Sequence, residues 1–267
     1  MDEIEDRKRL FFGFEVHAPW PENLPDARTL KAKHRHLTLA FLGDTSYSKL
    51  CNLVPRLPKP HFRVGPVGIS DSCLCLPKRH PNVVTWHVDP FGEDPIETYQ
   101  KELSEFLERE GYQLERRKFL KHITLGRSPF SEREWKKNFR PLPLYFHHFH
   151  LYESYGGLRY EPIWSHDLLP PFEETESRTD FVFRIYGSNL RQLFHNAQIA
   201  LAFKCPELLP FLDPRFEGHS IEEGILQLNA IINRANSEVK IPLMNVKFQG
   251  EASPIRGILM WEMAINL

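Results

Sequence analysis

The sequence predicts a mixed α+β chain in two unequal parts. Short apolar strands alternate with amphipathic helices, and no Gly-rich phosphate loop joins them, which argues against a doubly wound sheet. A proline-rich and acidic stretch, Leu168-Leu-Pro-Pro-Phe172 followed by Glu173-Glu-Thr-Glu-Ser177, then breaks the pattern. Strand and helix periodicity starts afresh beyond it. The expected division is residues 1–170, a linker at 171–177, and residues 178–267.

Each element has its own signal. Leu10 to Val16 is an apolar strand, ended by Pro19 and Pro21. Leu37 to Leu42 is a second, closed by Gly43-Asp44, and Val83 to Val88 is a third. Between Pro95 and Gly111 the residues Ile96, Tyr99, Leu103, Phe106 and Leu107 recur at helical spacing, with Gly111 as the stop. Ile123 to Leu125 is strand-like. So is Phe146 to Tyr152, with Phe146, His148, His150 and Tyr152 on one face. In the second part Phe181 to Tyr186 alternates as a strand and stops at Gly187. Asn189 caps a helix whose Leu190, Leu193, Phe194, Ala197 and Leu201 share a face. Ile221, Ile225, Leu228, Ile231 and Ile232 mark a second helix, and Ile258 to Ile265 a final strand. About 90 residues make only a marginally stable core alone.

Bulk properties narrow the function. The 267 residues are 41% hydrophobic and 26% charged, the balance of a globular protein. No apolar run reaches the roughly 20 residues of a membrane span, and no signal-peptide core follows Met1 to Arg9, so a cytoplasmic protein without a membrane partner is expected. Cys51, Cys73, Cys75 and Cys205 fit neither a disulfide framework nor a zinc spacing; Cys73 and Cys75 read as reduced thiols on one side of a strand. The formal net charge of -1 excludes a general polyanion magnet. Arg116, Arg117, Lys118, Lys121 and Arg127 still make a local basic patch beside a histidine of interest.

The chemistry lies in two copies of one pattern, His36-Leu-Thr-Leu39 and His122-Ile-Thr-Leu125. Positions i and i+2 of a strand share a face, so each copy presents a histidine with a threonine and packs its apolar residues behind them. A single such pattern among 13 histidines carries little weight. Two, both on strand-like segments, point to paired imidazoles and hydroxyls around one small anion. Opening a cyclic phosphate needs a base for the attacking water and an acid for the leaving ribose oxygen, and histidine serves for both near neutral pH. Threonine hydroxyls are suited to donate to the non-bridging oxygens. No cofactor is required. The pair His148 and His150 is a further candidate for a metal, but no Cys or carboxylate completes its set.

At these residues the chain resembles the two-histidine phosphoesterase superfamily, in particular the bacterial RNA 2',3'-cyclic phosphodiesterases also called 2'-5' RNA ligases. Arg9-Leu-Phe-Phe-Gly-Phe-Glu15 is similar to the family's opening strand. His36-Leu-Thr-Leu-Ala-Phe-Leu-Gly-Asp44 and Lys118-Phe-Leu-Lys-His-Ile-Thr-Leu-Gly-Arg127 are similar to its two motifs. Phe149 to Ser154, with Arg159-Tyr160, is similar to its closing strand. The resemblance covers residues 9 to 169. It implies a bilobal fold of two pseudo-symmetric sheet halves, with hydrolysis of a 2',3'-cyclic phosphate to a 2'-phosphate without metal. By position His36 and His122 become the acid–base pair; a first assignment takes His36 as acid and His122 as base, and the pseudo-symmetry of the two motifs leaves the reverse open. Thr38 and Thr124 take the phosphate, and Arg127 is the motif arginine. Phe12 or Phe14 is a candidate to stack on the base, with core packing the preferred alternative. The approach from Leu24 to Arg35 lacks the family's usual Trp.

Residues 178 to 267 resemble archease. Asp180-Phe-Val-Phe-Arg-Ile-Tyr-Gly187, Phe194-His-Asn-Ala197, Leu228-Asn229 and the strand ending at Ile265-Asn-Leu267 carry the likeness. The resemblance implies a divalent-cation site and a partnership with an RNA ligase. Asp180 stands at one ligand position. Asn266 replaces a carboxylate and Leu226 an acidic residue, so weak or no cation binding is expected. Glu222 and Glu223 lie out of register with the missing acid.

The leading expectation is therefore an enzyme acting on RNA with 2',3'-cyclic phosphate ends. The alternatives are an enzyme on small nucleotides, such as 2'-5' oligoadenylate or a cyclic phosphate of ADP-ribose, and a non-catalytic module that holds an RNA end.

Overall fold

A computed structural model describes residues 6–115, 118–175, 181–216, 218–255 and 257–266. The first part contains, in order, β1 (Arg7–Glu15), β2 (Arg28–Thr29), β3 (His36–Ser46), α1 (Tyr47–Leu53), β4 (Val67–Leu76), β5 (Val83–Pro90), α2 (Pro95–Arg109), β6 (His122–Arg127), α3 (Glu132–Asn138), β7 (Leu142–Tyr145), β8 (His148–Ser154) and β9 (Tyr160–Asp167). Its nine-stranded antiparallel sheet runs β7-β4-β5-β6-β3-β1-β8-β9, with β2 beside β6. The order divides at β6 and β3 into two halves. A short bridge between His17 and Tyr145, with both backbone hydrogen bonds at 3.0 Å, joins the end of β1 to β7. It closes β1, β3, β6, β5, β4 and β7 into a ring.

Alternation in the strands decides which face is apolar. Leu10, Phe12 and Phe14 of β1 point into the main core, with Leu37 and Leu39 of β3 and Phe149 and Leu151 of β8. Phe11, Gly13 and Glu15 take the opposite face. Gly13 is required here, because a Cβ at this position would lie 2.7 Å from the Leu37 carbonyl oxygen, next to a register shift in the β1–β3 pairing. Helix α2 covers the apolar face. Asp94 caps it by accepting from the Glu97 amide at 3.2 Å, Pro95 opens it, and Gly111 follows it at φ +91°. Ile96, Tyr99, Leu103 and Leu107 form its buried stripe, and Tyr99 meets Phe14 and Phe149 edge-on or tilted.

The second part contains β10 (Phe172–Thr175), β11 (Phe181–Gly187), α4 (Leu190–Lys204), α5 (Ile221–Val239), β12 (Asn245–Ile255) and β13 (Ile258–Asn266). Its sheet runs β10-β11-β13-β12, all antiparallel. Asn189 caps α4 by accepting from the Gln192 amide at 2.8 Å. The core of this part is not closed on itself. It includes Val67 and Phe91 from the first part and packs Tyr145 of β7 against Phe172 and Phe203.

Several expectations need correction. Phe172–Thr175, read as linker, is a strand. Phe172 turns into the second core while Glu173 and Glu174 face out, so the acidic run disguised a half-buried edge. Strand β3 continues to Ser46, past Gly43, which takes φ +68° within it. Phe146 does not share a face with His148, His150 and Tyr152. The chain leaves strand geometry between β7 and β8, and Phe146 joins Phe14 in the main core. Cys73 and Cys75 are free thiols on β4, and burial pushes Cys73 up to about 12. No helix among the described residues is long and apolar enough to cross a membrane.

Candidate active site

His36 and His122 each occupy the first position of their strands, β3 and β6. These strands meet where the two sheet halves join, with Leu37 paired to Ile123. Continuing this antiparallel register by one residue to either side sets His36 opposite Thr124 and Thr38 opposite His122. Directly opposed residues share a face, so the two histidines and two threonines form one patch, diagonal by type. Leu37 and Ile123 point away into the main core and are fully buried.

The two histidines are held alike. His36 Nδ1 donates to the His34 carbonyl at 2.8 Å, and His122 Nδ1 donates to the Leu120 carbonyl at 2.7 Å. A carbonyl only accepts, so Nδ1 carries the hydrogen in both rings. In the neutral ring Nε2 is then the basic nitrogen. Each histidine bonds the residue two positions earlier, so the tautomer is set locally by the turn into its own strand.

Their surroundings differ. His36 is 8% exposed and lies among rings, with centroids 4.6 Å from Phe11, 5.3 Å from Tyr152 and 4.8 Å from Tyr160. Burial, with a smaller repulsion from His122, lowers its pKa to about 4. His122 is more exposed. It pairs with His87 of β5, as Thr124 does with Thr85. His87 Nδ1 is bonded to Asp71 Oδ1 at 2.7 Å.

The structure thus brings together four of the expected site residues: His36, Thr38, His122 and Thr124. Arg127 is exposed at the far end of β6, where the bulge in the β5–β6 pairing sets it opposite Val83, on the face that carries Thr85 and His87. Phe12 is corrected to a core residue. It is fully buried and stacks on Phe149 at 5.6 Å, so it cannot meet a base. Phe11 faces His36 instead. Of the basic patch, Lys121 is taken up by Asp94 and by Glu97 at 2.9 Å, while Arg116 and Arg117 lie outside the described residues. Asp180 also lies outside them. The Asn266 amide donates to Asn245 Oδ1 at 2.9 Å, and Leu226 is exposed.

Sequence reasoning missed Phe11, Tyr152, Tyr160, His87 and Asp71 as neighbours of the pair. Thr85 and His87 do carry the same i, i+2 signal in reverse order, and Phe11 has the parity of Gly13 rather than of Phe12.

No family model matches this chain, and no curated protein does. Solved structures align with about three fifths of it. LigT of E. coli in its apo form is 25% identical at a TM-score of 0.45, covering 61% of this chain and 99% of that one. E. coli LigT complexed with 3'-AMP is 23% identical at 0.44, covering 61% and 98%. TT0787 of Thermus thermophilus is 17% identical at 0.46, covering 60% and 97%. At these levels of similarity the chemistry of the site rests on the residues described above.

Proposed function

We propose that this protein is a metal-independent phosphodiesterase that opens 2',3'-cyclic phosphates at RNA ends to 2'-phosphates. The observation that carries the proposal is the diagonal set of His36, Thr38, His122 and Thr124 across one strand pair. It offers two imidazoles with fixed tautomers and two hydroxyls on a single patch. The phosphate lies over the patch, and the hydroxyls donate to its non-bridging oxygens as charge develops. One imidazole takes the proton of the attacking water as the new P–O bond forms. The other gives a proton to the ribose 3'-oxygen as its P–O bond breaks.

Burial favours an assignment opposite to the one expected from the sequence. A histidine held down to about 4 is neutral at pH 7. His36 Nε2 is therefore the base, and His122, nearer to solvent, is the acid. The phosphate anion raises the affinity of His36 for its proton when bound, which brings the base toward the working range.

The test is turnover, in EDTA, of an oligonucleotide ending in a 2',3'-cyclic phosphate and of the matching mononucleotide. We expect a 2'-phosphate product from the oligonucleotide; an absolute need for a divalent metal would sink the proposal. Faster turnover of the mononucleotide would point to the small-nucleotide alternative. Binding without turnover would point to a holding module. Of the rings around His36, Phe11 and Tyr152 are buried, and the part-exposed Tyr160 is the one suited to meet a nucleobase beside the phosphate in all three cases.

Thr38→Val and Thr124→Val keep side-chain shape and remove the donor. Each is expected to lower kcat by about 10-fold or more with little change in KM, since the bond strengthens as charge develops. Normal rates in both variants would show that the hydroxyls do not meet the phosphate.

The second part, by its resemblance to archease, fits a role beside an RNA ligase that uses the same kind of end. Its tether to the phosphodiesterase would hold the two at high effective concentration.

A further inference from the structure

A second group of histidines lies on the site face of the sheet, away from His36 and His122. His17 follows β1, and His147 and His148 lie where the chain passes from β7 into β8. One ring nitrogen from each comes within 4.8 Å of the others. His17 Nε2 and His147 Nδ1 are buried and have no hydrogen-bond partner among the described residues. Folded chains rarely bury two such nitrogens unsatisfied side by side. We propose that His17, His147 and His148 bind one divalent transition-metal ion of the zinc class.

The surroundings fit such an ion. His148 Nδ1 is bonded to Asp167 Oδ1 at 2.8 Å, which fixes the ring and leaves Nε2 as the ligating nitrogen. A carboxylate behind a ligating histidine in this way orients the ring and raises its basicity. Glu15 Oε1, 3.8 Å from His17 Nε2, adds negative charge at the edge of the group. The Tyr145 ring stacks on His17 at 4.7 Å and 11° and holds it in place.

The ring centroids are 4.5, 5.8 and 3.6 Å apart, and three imidazoles on a tetrahedral ion sit about 5 Å apart. The ion would spread the closest pair, His147 and His148, and draw in the widest, His17 and His148. Three nitrogen ligands select zinc, cobalt, nickel or copper over calcium and magnesium, which require oxygen. They also leave a fourth position for water or an anion. His147 also lines a cavity of about 470 Å³ with Tyr145, Phe172, Phe203 and Lys204. His150, paired with His148 from the sequence, is not a ligand. Its Nδ1 is bonded to Ser165 at 2.8 Å and its Nε2 to Glu15 at 3.4 Å. The third ligand comes instead from β1, through the backbone bridge of His17 to Tyr145.

The experiment uses the full chain, stripped with EDTA and dialysed. Zinc is titrated against a chromogenic chelator, and Co²⁺ is added separately for its visible spectrum. We expect one equivalent of zinc, visible Co²⁺ bands of a four- or five-coordinate nitrogen site, and a rise in Tm with zinc. His148→Gln, at a partly exposed position that tolerates the change, should abolish all three. Asp167→Asn should weaken zinc roughly 10- to 100-fold, the usual effect of removing a carboxylate behind a ligand. His36→Ala and His150→Gln should bind as the parent does. Absence of saturable binding would overturn the proposal, and so would one-equivalent binding that persists in His148→Gln. Neither outcome bears on turnover in EDTA, so the phosphodiesterase proposal stands or falls separately.

Discussion

Replacing either His36 or His122 by alanine is expected to lower kcat on a 2',3'-cyclic phosphate by roughly 10²-fold or more, the scale of a lost general acid or base. The two losses should not add, because each histidine is idle without the other; the double variant should be about as slow as the slower single one. Circular dichroism separates chemistry from folding. It matters most for His36, whose ring fills space among Phe11, Tyr152 and Tyr160. The pH profile of kcat/KM distinguishes the roles. With His36 as base, the acid limb falls well below the ordinary histidine range, toward 4, and disappears in His36→Ala along with the activity. Activity that instead rises steadily toward acid would make His36 the acid. Wild-type rates in either alanine variant would end the proposal.

A large loss of stability in mild acid is the second expected result. Burial holds His36, His147 and His195 each down to about 4. In an unfolded chain all three titrate near 6.5. Between these values the unfolded state binds protons that the folded state does not, so stability is fully present above about 6.5 and is lost as pH falls toward 4. For His36 and His195, which are 8% and 3% exposed, the full loss is about 3 kcal/mol each; His147 is more open and contributes less. Together this is a large fraction of the 5–15 kcal/mol that holds an ordinary fold. Urea midpoints at pH 7.5 and 4.5 measure the loss, and His195→Gln should remove its share. Equal midpoints at both pH values would show that the three rings are hydrated in solution.

Elements with an apolar strand run or a full helical stripe were legible in the sequence, among them β1, β3, β5, β6, β8, β11 and β13 with α2, α4 and α5. Strands β4, β7 and β9 lacked a local signal. Strand β7 contains Pro143, tolerated only because it lies at one end of the sheet order. In β4 the residues Gly68, Ser70 and Ser72 stand where an apolar repeat would have shown. Strand β9 is an edge and is mixed in character. At the site the parity of His36 with Thr38 and of His122 with Thr124 follows from the strand repeat alone. That His36 faces Thr124 does not, since it depends on the register of strands far apart in the chain. The misplacement of Phe12 has a similar origin. Which of Phe11 and Phe12 meets His36 turns on register shifts in the pairing of β1 with β3, and no local pattern encodes them. The histidines at the seam were half legible, because His17 reaches His147 and His148 only through the ring closure.

The core shared between the two parts bears on how the molecule unfolds. Val67, Phe91 and Tyr145 belong by sequence to the first part, yet their apolar surface is covered by the second. Tyr145 is also the residue whose backbone closes the ring with His17. Loosening the second sheet therefore strips cover from the joint that completes the first. Two parts that look separable in the sequence are coupled as one cooperative unit, and heat should melt them in a single transition rather than one after the other.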